Sequence, residues 1–190
     1  VQHVVMLGRT AVVVRHWFEV GPDADEHGAR IEIRLLDWLG SGESPFAARR
    51  VTLGTPVFRA DLFDLVDGPP GNMASAHWHP GFEGTEPVSR TWDEELSRSP
   101  FAWLERRLAD PAQLFVAAGL PPGQATEEAA AEVRRLAPAA VALARVSDGA
   151  HCPSAATCLE LTSDTTAEVE RMLEQYRGGA PDPRRAASEP

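Results

Sequence analysis

The chain has no lysine, only one tyrosine and only two cysteines among its 190 residues. All 18 of its basic residues are therefore arginines, set against 28 acidic residues for a formal net charge of −10. A surface that binds nucleic-acid phosphates carries a clustered basic footprint, so nucleic acid is not an expected partner. Cys152 and Cys158 are too few for a disulfide framework, and the core has to hold the fold unaided. Long apolar runs are missing as well. None approaches the roughly 18 residues needed to span a bilayer, so no membrane partner is expected. Residues 1–5 lack a basic n-region and a small-residue cleavage site, which makes a cytoplasmic setting the expectation. There is no Gly-x-Ser-x-Gly elbow, Walker A loop, dinucleotide GxGxxG or His-Glu-x-x-His helix. Hydrolase, NTPase and Rossmann classes drop out with them.

What is present is globular in character. Hydrophobic residues at 43% and charged residues at 24% match ordinary soluble domains, so the bulk of the chain is expected to fold. Abundant alanine, proline and glycine, with arginine as the only cation besides histidine, resemble high-GC coding, as in actinobacteria. The length suits a single α+β domain over residues 1–178. Residues 179–190 show no apolar periodicity and read as a flexible tail.

The first part of the chain reads as an N-terminal antiparallel β-sheet. Residues 4–7, 10–20 and 29–37 are rich in valine and isoleucine, and Ile31, Ile33 and Leu35 alternate with polar residues. Residues 50–53 and 57–65 are further strands. Beyond residue 90 the pattern turns helical. Thr91 is placed to cap a turn containing Asp93, Glu94 and Glu95. Ser99-Pro100 and Asp110-Pro111 open two more helices, and Gly119 stops the second of these. Residues 124–146 are alanine-rich and helical up to Pro138, which should break or kink the helix. Residues 139–146 are then available as a strand, pairing with 157–161 in a short C-terminal β-hairpin. A last helix follows, with Val169, Met172, Leu173 and Tyr176 on one face.

Chemistry concentrates between Gly71 and Glu83, where His77, His79 and Glu83 fall within seven residues. Two histidines one residue apart project to the same side of an extended backbone. After the turn that Pro80 and Gly81 allow, Glu83 can add an oxygen ligand. Two imidazoles and a carboxylate suit iron, manganese or catalytic zinc with open positions left for water or substrate. His16 or His151 is a further candidate ligand. The alternative is structural: His77 and His79 cap a loop while Trp78 packs on the core.

The spacing of Gly71, His77, His79 and Glu83 resembles the first motif of the cupin superfamily. That resemblance implies a small β-barrel in which His77, His79 and Glu83 hold a metal, in dioxygenases, isomerases or binding proteins. The residues after Glu83 read as helix, so an α+β scaffold with a His-rich loop at the sheet edge remains the expected fold.

Other residues carry weaker signals. Arg59 and Asp61 share one strand face, where they can pair with each other or orient a histidine. Arg90, near Glu83 and Glu86, suits either a clamp for a substrate carboxylate or a bridge across the loop, and the bridge is favoured. Trp17, Phe18, Trp38, Phe58, Phe63, Trp92 and Trp103 read as core. His151, Cys152 and Cys158 suit zinc, a local disulfide or two ordinary thiols. The specific functional expectation is a divalent-metal site for a small molecule, with His77 and His79 as ligands and Glu83 as ligand or general base. Its rival is a non-catalytic protein that binds a protein partner.

Overall fold

In the computed structural model, the described residues are 2–19, 24–39, 50–69 and 71–148, together with Ala167 and Arg171. Nearly all of them belong to one compact unit, Val1–His151; a second unit is Cys152–Pro190. The expected boundary at residue 178, the tail 179–190 and the cluster of His151, Cys152 and Cys158 lie outside the described residues.

The first unit is α+β. Strands β1 (Gln2–Leu7), β2 (Thr10–Glu19), β3 (Glu26–Leu39), β4 (Arg50–Leu65) and β5 (His77–His79) form one antiparallel sheet in chain order. Such a meander is what short connections between β-branched segments produce. Residues 50–53 and 57–65, expected as separate strands, are one continuous strand. It absorbs its irregularity in register shifts opposite Ile33, Arg34 and Leu36. The His-rich segment is not a loop beside the sheet but its fifth strand. Beyond it, β6 (Phe82–Glu83) and β7 (Glu86–Pro87) form a small separate hairpin.

The two faces of the sheet differ sharply. Because side chains alternate along each strand, residues that lie abreast across the ladder share a face. One such row is His3, Val14, Ile31, Ala60 and Trp78, and the parallel rows contribute Val12, Ile33, Phe58 and Leu62. This apolar face packs on helices α2 (Pro100–Ala109), α3 (Pro111–Ala117) and α4 (Glu127–Asp148) through Trp103, Leu104, Leu108, Leu114, Phe115 and Val133. On the opposite face, Val4, Val13, Glu32, Arg59 and His79 form one row, and Gln2, Arg15, Arg30, Asp61 and His77 the next. Charge is therefore gathered on one side of the sheet and apolar area on the other.

Two helical details differ from expectation. Thr91 is no cap: its backbone bridges to Trp78, and helix α1 (Glu94–Arg98) is capped by Asp93, whose carboxylate accepts from Glu95 N. The same carboxylate takes the Trp103 indole N–H at 2.7 Å, tying α1 to α2. The larger correction concerns Pro138, which does not end its helix. Helix α4 runs through it for 22 residues, so 139–146 are helical and the expected hairpin lacks its first strand. Ala140, Val141 and Ala144 are buried beyond the proline. Keeping their apolar area on the core outweighs the roughly 3 kcal/mol that an interior proline costs. Ala167 and Arg171 are helical, within the segment expected to form a last helix. No helix among the described residues is long and apolar enough to cross a membrane.

Replacing Pro138 by alanine restores a backbone donor in the middle of α4 and removes the ring clash. Chemical denaturation is expected to show a gain of about 1–3 kcal/mol in unfolding free energy. A loss would mean that the proline itself is needed for packing.

Candidate metal centre

Trp78 decides where its neighbours point. Its indole faces the helices, with ring centroids 5.9 Å from Trp103 and 6.5 Å from Phe58, and the Arg107 guanidinium lies 4.8 Å from its centroid. Its backbone pairs with Thr91 in both directions, at 3.0 and 2.8 Å. With Trp78 fixed on the apolar side, alternation sends His77 and His79 to the charged side. There they meet Asp61, which lies directly across the ladder from His77.

The loop between β4 and β5 is tied down so that this register holds. The Asp64 carboxylate accepts the backbone N–H groups of Gly71 and Met73. Gly71 sits at φ 79°, a left-handed position that glycine occupies without steric cost. The loop then delivers Ser75, whose carbonyl becomes a partner of the site.

Asp61, His77 and His79 are all buried, and their ligand atoms lie within 4.8 Å of one another. His77 Nδ1 is 2.8 Å from the Ser75 carbonyl, and His79 Nδ1 is 2.6 Å from the Ser89 carbonyl. A carbonyl oxygen only accepts, so each Nδ1 carries the proton and donates. In a neutral ring that leaves Nε2 as a lone pair. Both lone pairs then face the same atom: Asp61 Oδ2 is 3.3 Å from His77 Nε2 and 3.4 Å from His79 Nε2. His77 Nε2 is buried and has no hydrogen-bond partner among the described residues. Backbone carbonyls fixing Nδ1–H while Nε2 converges on a carboxylate is the usual support of metal-ligating histidine.

The separations are compatible with a cation in the gap. A charge-assisted N–H···O bond would be about 2.7–2.9 Å long. Ligands at roughly 2.1 Å from a tetrahedral ion lie about 3.4 Å apart. The observed 3.3 and 3.4 Å match the second geometry.

Asp61 is kept ionised by its surroundings. Burial pushes its pKa up, but hydrogen bonds from His77 and His79, made when their Nε2 carries a proton and no ion is bound, and the Arg30 guanidinium more than reverse this. The carboxyl is held well below the usual carboxylate range. Arg30 grips it as a fork, with Nε 2.7 Å from Oδ1 and Nη2 3.1 Å from Oδ2. In the adjacent row Glu32 is shared by Arg34 at 3.1 Å and Arg59, whose Nε is 2.8 Å from its carboxylate.

The residues singled out by sequence are partly brought together. His77 and His79 converge. Glu83 does not join them; it is exposed on β6, because Pro80 and Gly81 carry the chain out of the sheet into a separate hairpin. The carboxylate that does converge, Asp61, comes from the neighbouring strand. Its signal in the sequence was its shared face with Arg59, yet the two do not pair with each other: Arg59 bonds Glu32 and Asp61 bonds Arg30. His16 projects with Val12 and Val14, on the far side of the sheet, beside His3. Phe58, Phe63 and Trp103 are core, whereas Trp92 is 58% exposed and stands over His77 with ring centroids 5.1 Å apart. The side chains of Trp17, Phe18 and Trp38 are outside the described set.

Asp61→Asn is expected to lower the stability of the metal-free protein at pH 7 by about 1–3 kcal/mol, since it removes the forked, charge-assisted hydrogen bonds of the half-buried Arg30 guanidinium, which keeps Glu19 at 3.5 Å. The pH dependence has a definite sign. Because the folded pKa lies below the unfolded one, the stabilisation is complete above about pH 4. It is lost below that at up to about 1.4 kcal/mol per pH unit until the folded pKa is reached. Urea melts of both proteins from pH 7 down to pH 2 should therefore converge as pH falls; a constant gap would refute the assignment.

Comparison with known proteins returns no match of any kind: no family model, no curated protein and no solved structure corresponds to this chain.

Proposed function

We propose that the protein binds one divalent metal ion through Asp61 Oδ2, His77 Nε2 and His79 Nε2, and presents it to a small molecule. The observation that carries this reading is the pair of Nδ1-anchored imidazoles whose Nε2 atoms face one carboxylate oxygen at 3.3 and 3.4 Å. Two imidazoles and a carboxylate suit iron, manganese or zinc. Three protein ligands leave at least one position for water or substrate. His77 is buried deep beneath Trp92, while Asp61 and His79 line an open cleft together with Arg59 and Arg90. The cleft is therefore the side from which a ligand approaches. A metal there acts as a Lewis acid, polarising a carbonyl or lowering the pKa of bound water.

The reading retains the two histidines of the cupin-like motif and takes its carboxylate from β4, which precedes that motif. Glu83, exposed on the neighbouring hairpin, is not required as a ligand. In this reading Arg30 has two effects. It orients Asp61, and it offsets the carboxylate's charge, which weakens the hold on the ion and leaves it more electrophilic.

Elemental analysis after loading with Fe²⁺, Mn²⁺ or Zn²⁺ and desalting is expected to give close to one equivalent of metal. At an ion concentration about 100-fold above Kd the folded state gains about 2.7 kcal/mol, visible as a higher Tm. Quenching of tryptophan fluorescence by Co²⁺ reports the same event, because the Trp92 ring stands beside His77. The pair His77→Ala and His79→Ala should abolish uptake, quenching and Tm shift while leaving far-UV circular dichroism intact. A wild-type protein with less than about a tenth of an equivalent and an unchanged Tm would leave the histidines a structural role in a non-catalytic protein.

A further inference from the structure

We infer that the ligand of this cleft carries a carboxylate, and that Arg90 clamps it at the rim while a neighbouring oxygen of the same molecule reaches the metal. The inference rests on the metal centre proposed above and adds its substrate class. Three guanidiniums line the cleft, those of Arg30, Arg59 and Arg90. Two are committed to buried carboxylates: Arg30 forks Asp61 at 2.7 and 3.1 Å, and Arg59 bonds Glu32 at 2.8 Å. Arg90 is different. Its nearest described carboxylate is Glu19 at 4.0 Å, and its side chain is 50% exposed. The loop bridge to Glu83 or Glu86 that the sequence suggested is not among its described ion pairs.

The placement of Arg90 is set by the site itself. It directly follows Ser89, whose carbonyl holds His79 Nδ1 at 2.6 Å, and directly precedes Thr91, which is bonded to the backbone of Trp78. A backbone pinned on both sides holds Arg90 at the wall of the cleft that Asp61 and His79 line and leaves only the side chain to adjust. Charge points the same way. The lining residues Glu19, Asp61 and Glu86 balance the three arginines, so a divalent ion makes the cleft positive within a chain of net charge −10. Such a cleft attracts anions. A single loosely paired guanidinium fits one planar carboxylate as a two-bond fork. Val88 and Pro87 supply the apolar part of the wall, which suits a short carbon backbone beyond the carboxylate.

The test uses Zn²⁺-loaded protein titrated calorimetrically with pyruvate, with its neutral analogue pyruvamide and with inorganic phosphate, after the metal content of each sample has been measured. Pyruvate is expected to bind at least tenfold more tightly than pyruvamide or phosphate. Arg90→Gln should weaken pyruvate at least tenfold without changing metal content, and Arg90→Lys should restore part of the loss. Equal binding of pyruvate by wild type and Arg90→Gln, or preference for pyruvamide or phosphate, overturns the inference and leaves the metal centre standing. Wild-type protein that takes up no metal overturns both. Arg90 lies on the cleft rim outside the core, so the variants are expected to fold, and an unchanged Tm of the metal-free variants verifies it.

Discussion

The arrangement depends on a strand only three residues long. His77-Trp78-His79 alternates sides because any extended chain does, and burial fixes which side is which. Trp78 lies against Phe58 and Trp103 on the helix-facing side of the sheet. A slip of one residue would expose the indole and drive two imidazoles into an apolar core. The cost of that slip is what holds both rings beside Asp61. The aromatic residue between the histidines is thus the element that orients them, although it touches nothing in the site.

Around that strand the protein maintains a buried electrostatic cluster on one side of a sheet whose other side is hydrocarbon. Burying an unpaired carboxylate is costly, and Asp61 and Glu32 each have guanidinium partners that compensate. The histidines are handled differently. Their Nδ1–H groups are spent on the carbonyls of Ser75 and Ser89, which fixes both tautomer and ring rotation. The outcome is two preorganised lone pairs and an ionised oxygen directed at one point. Backbone carbonyls anchor the two rings, while the Arg30 guanidinium orients Asp61 and the Asp64 carboxylate ties the loop.

Much of this was legible from residue patterns. The strand-rich first part, the helices opened at Pro100 and Pro111, and the shared side of His77 and His79 all follow from local rules acting within a few residues. Pro138 was misleading because a local penalty of about 3 kcal/mol competes with burial of Ala140, Val141 and Ala144, which no single segment reveals. Glu83 was misleading for a related reason. Nearness along the chain favoured it, but Pro80-Gly81 takes it into a different hairpin, whereas Asp61 is 16 positions before His77 and directly beside it across the ladder.

The sequence by itself determined the alternation on each strand, the absence of lysine that makes every permanent side-chain cation a guanidinium, and the placing of two imidazoles on one side of an extended segment. Those are properties of single segments and of composition. Only the tertiary structure decided which carboxylate meets the histidines and which of the arginines lining the cleft are engaged by buried carboxylates. Such partners belong to different strands, and cross-strand register is set by the burial of the whole apolar side, including Trp78, and not by any local preference of the residues that form the site.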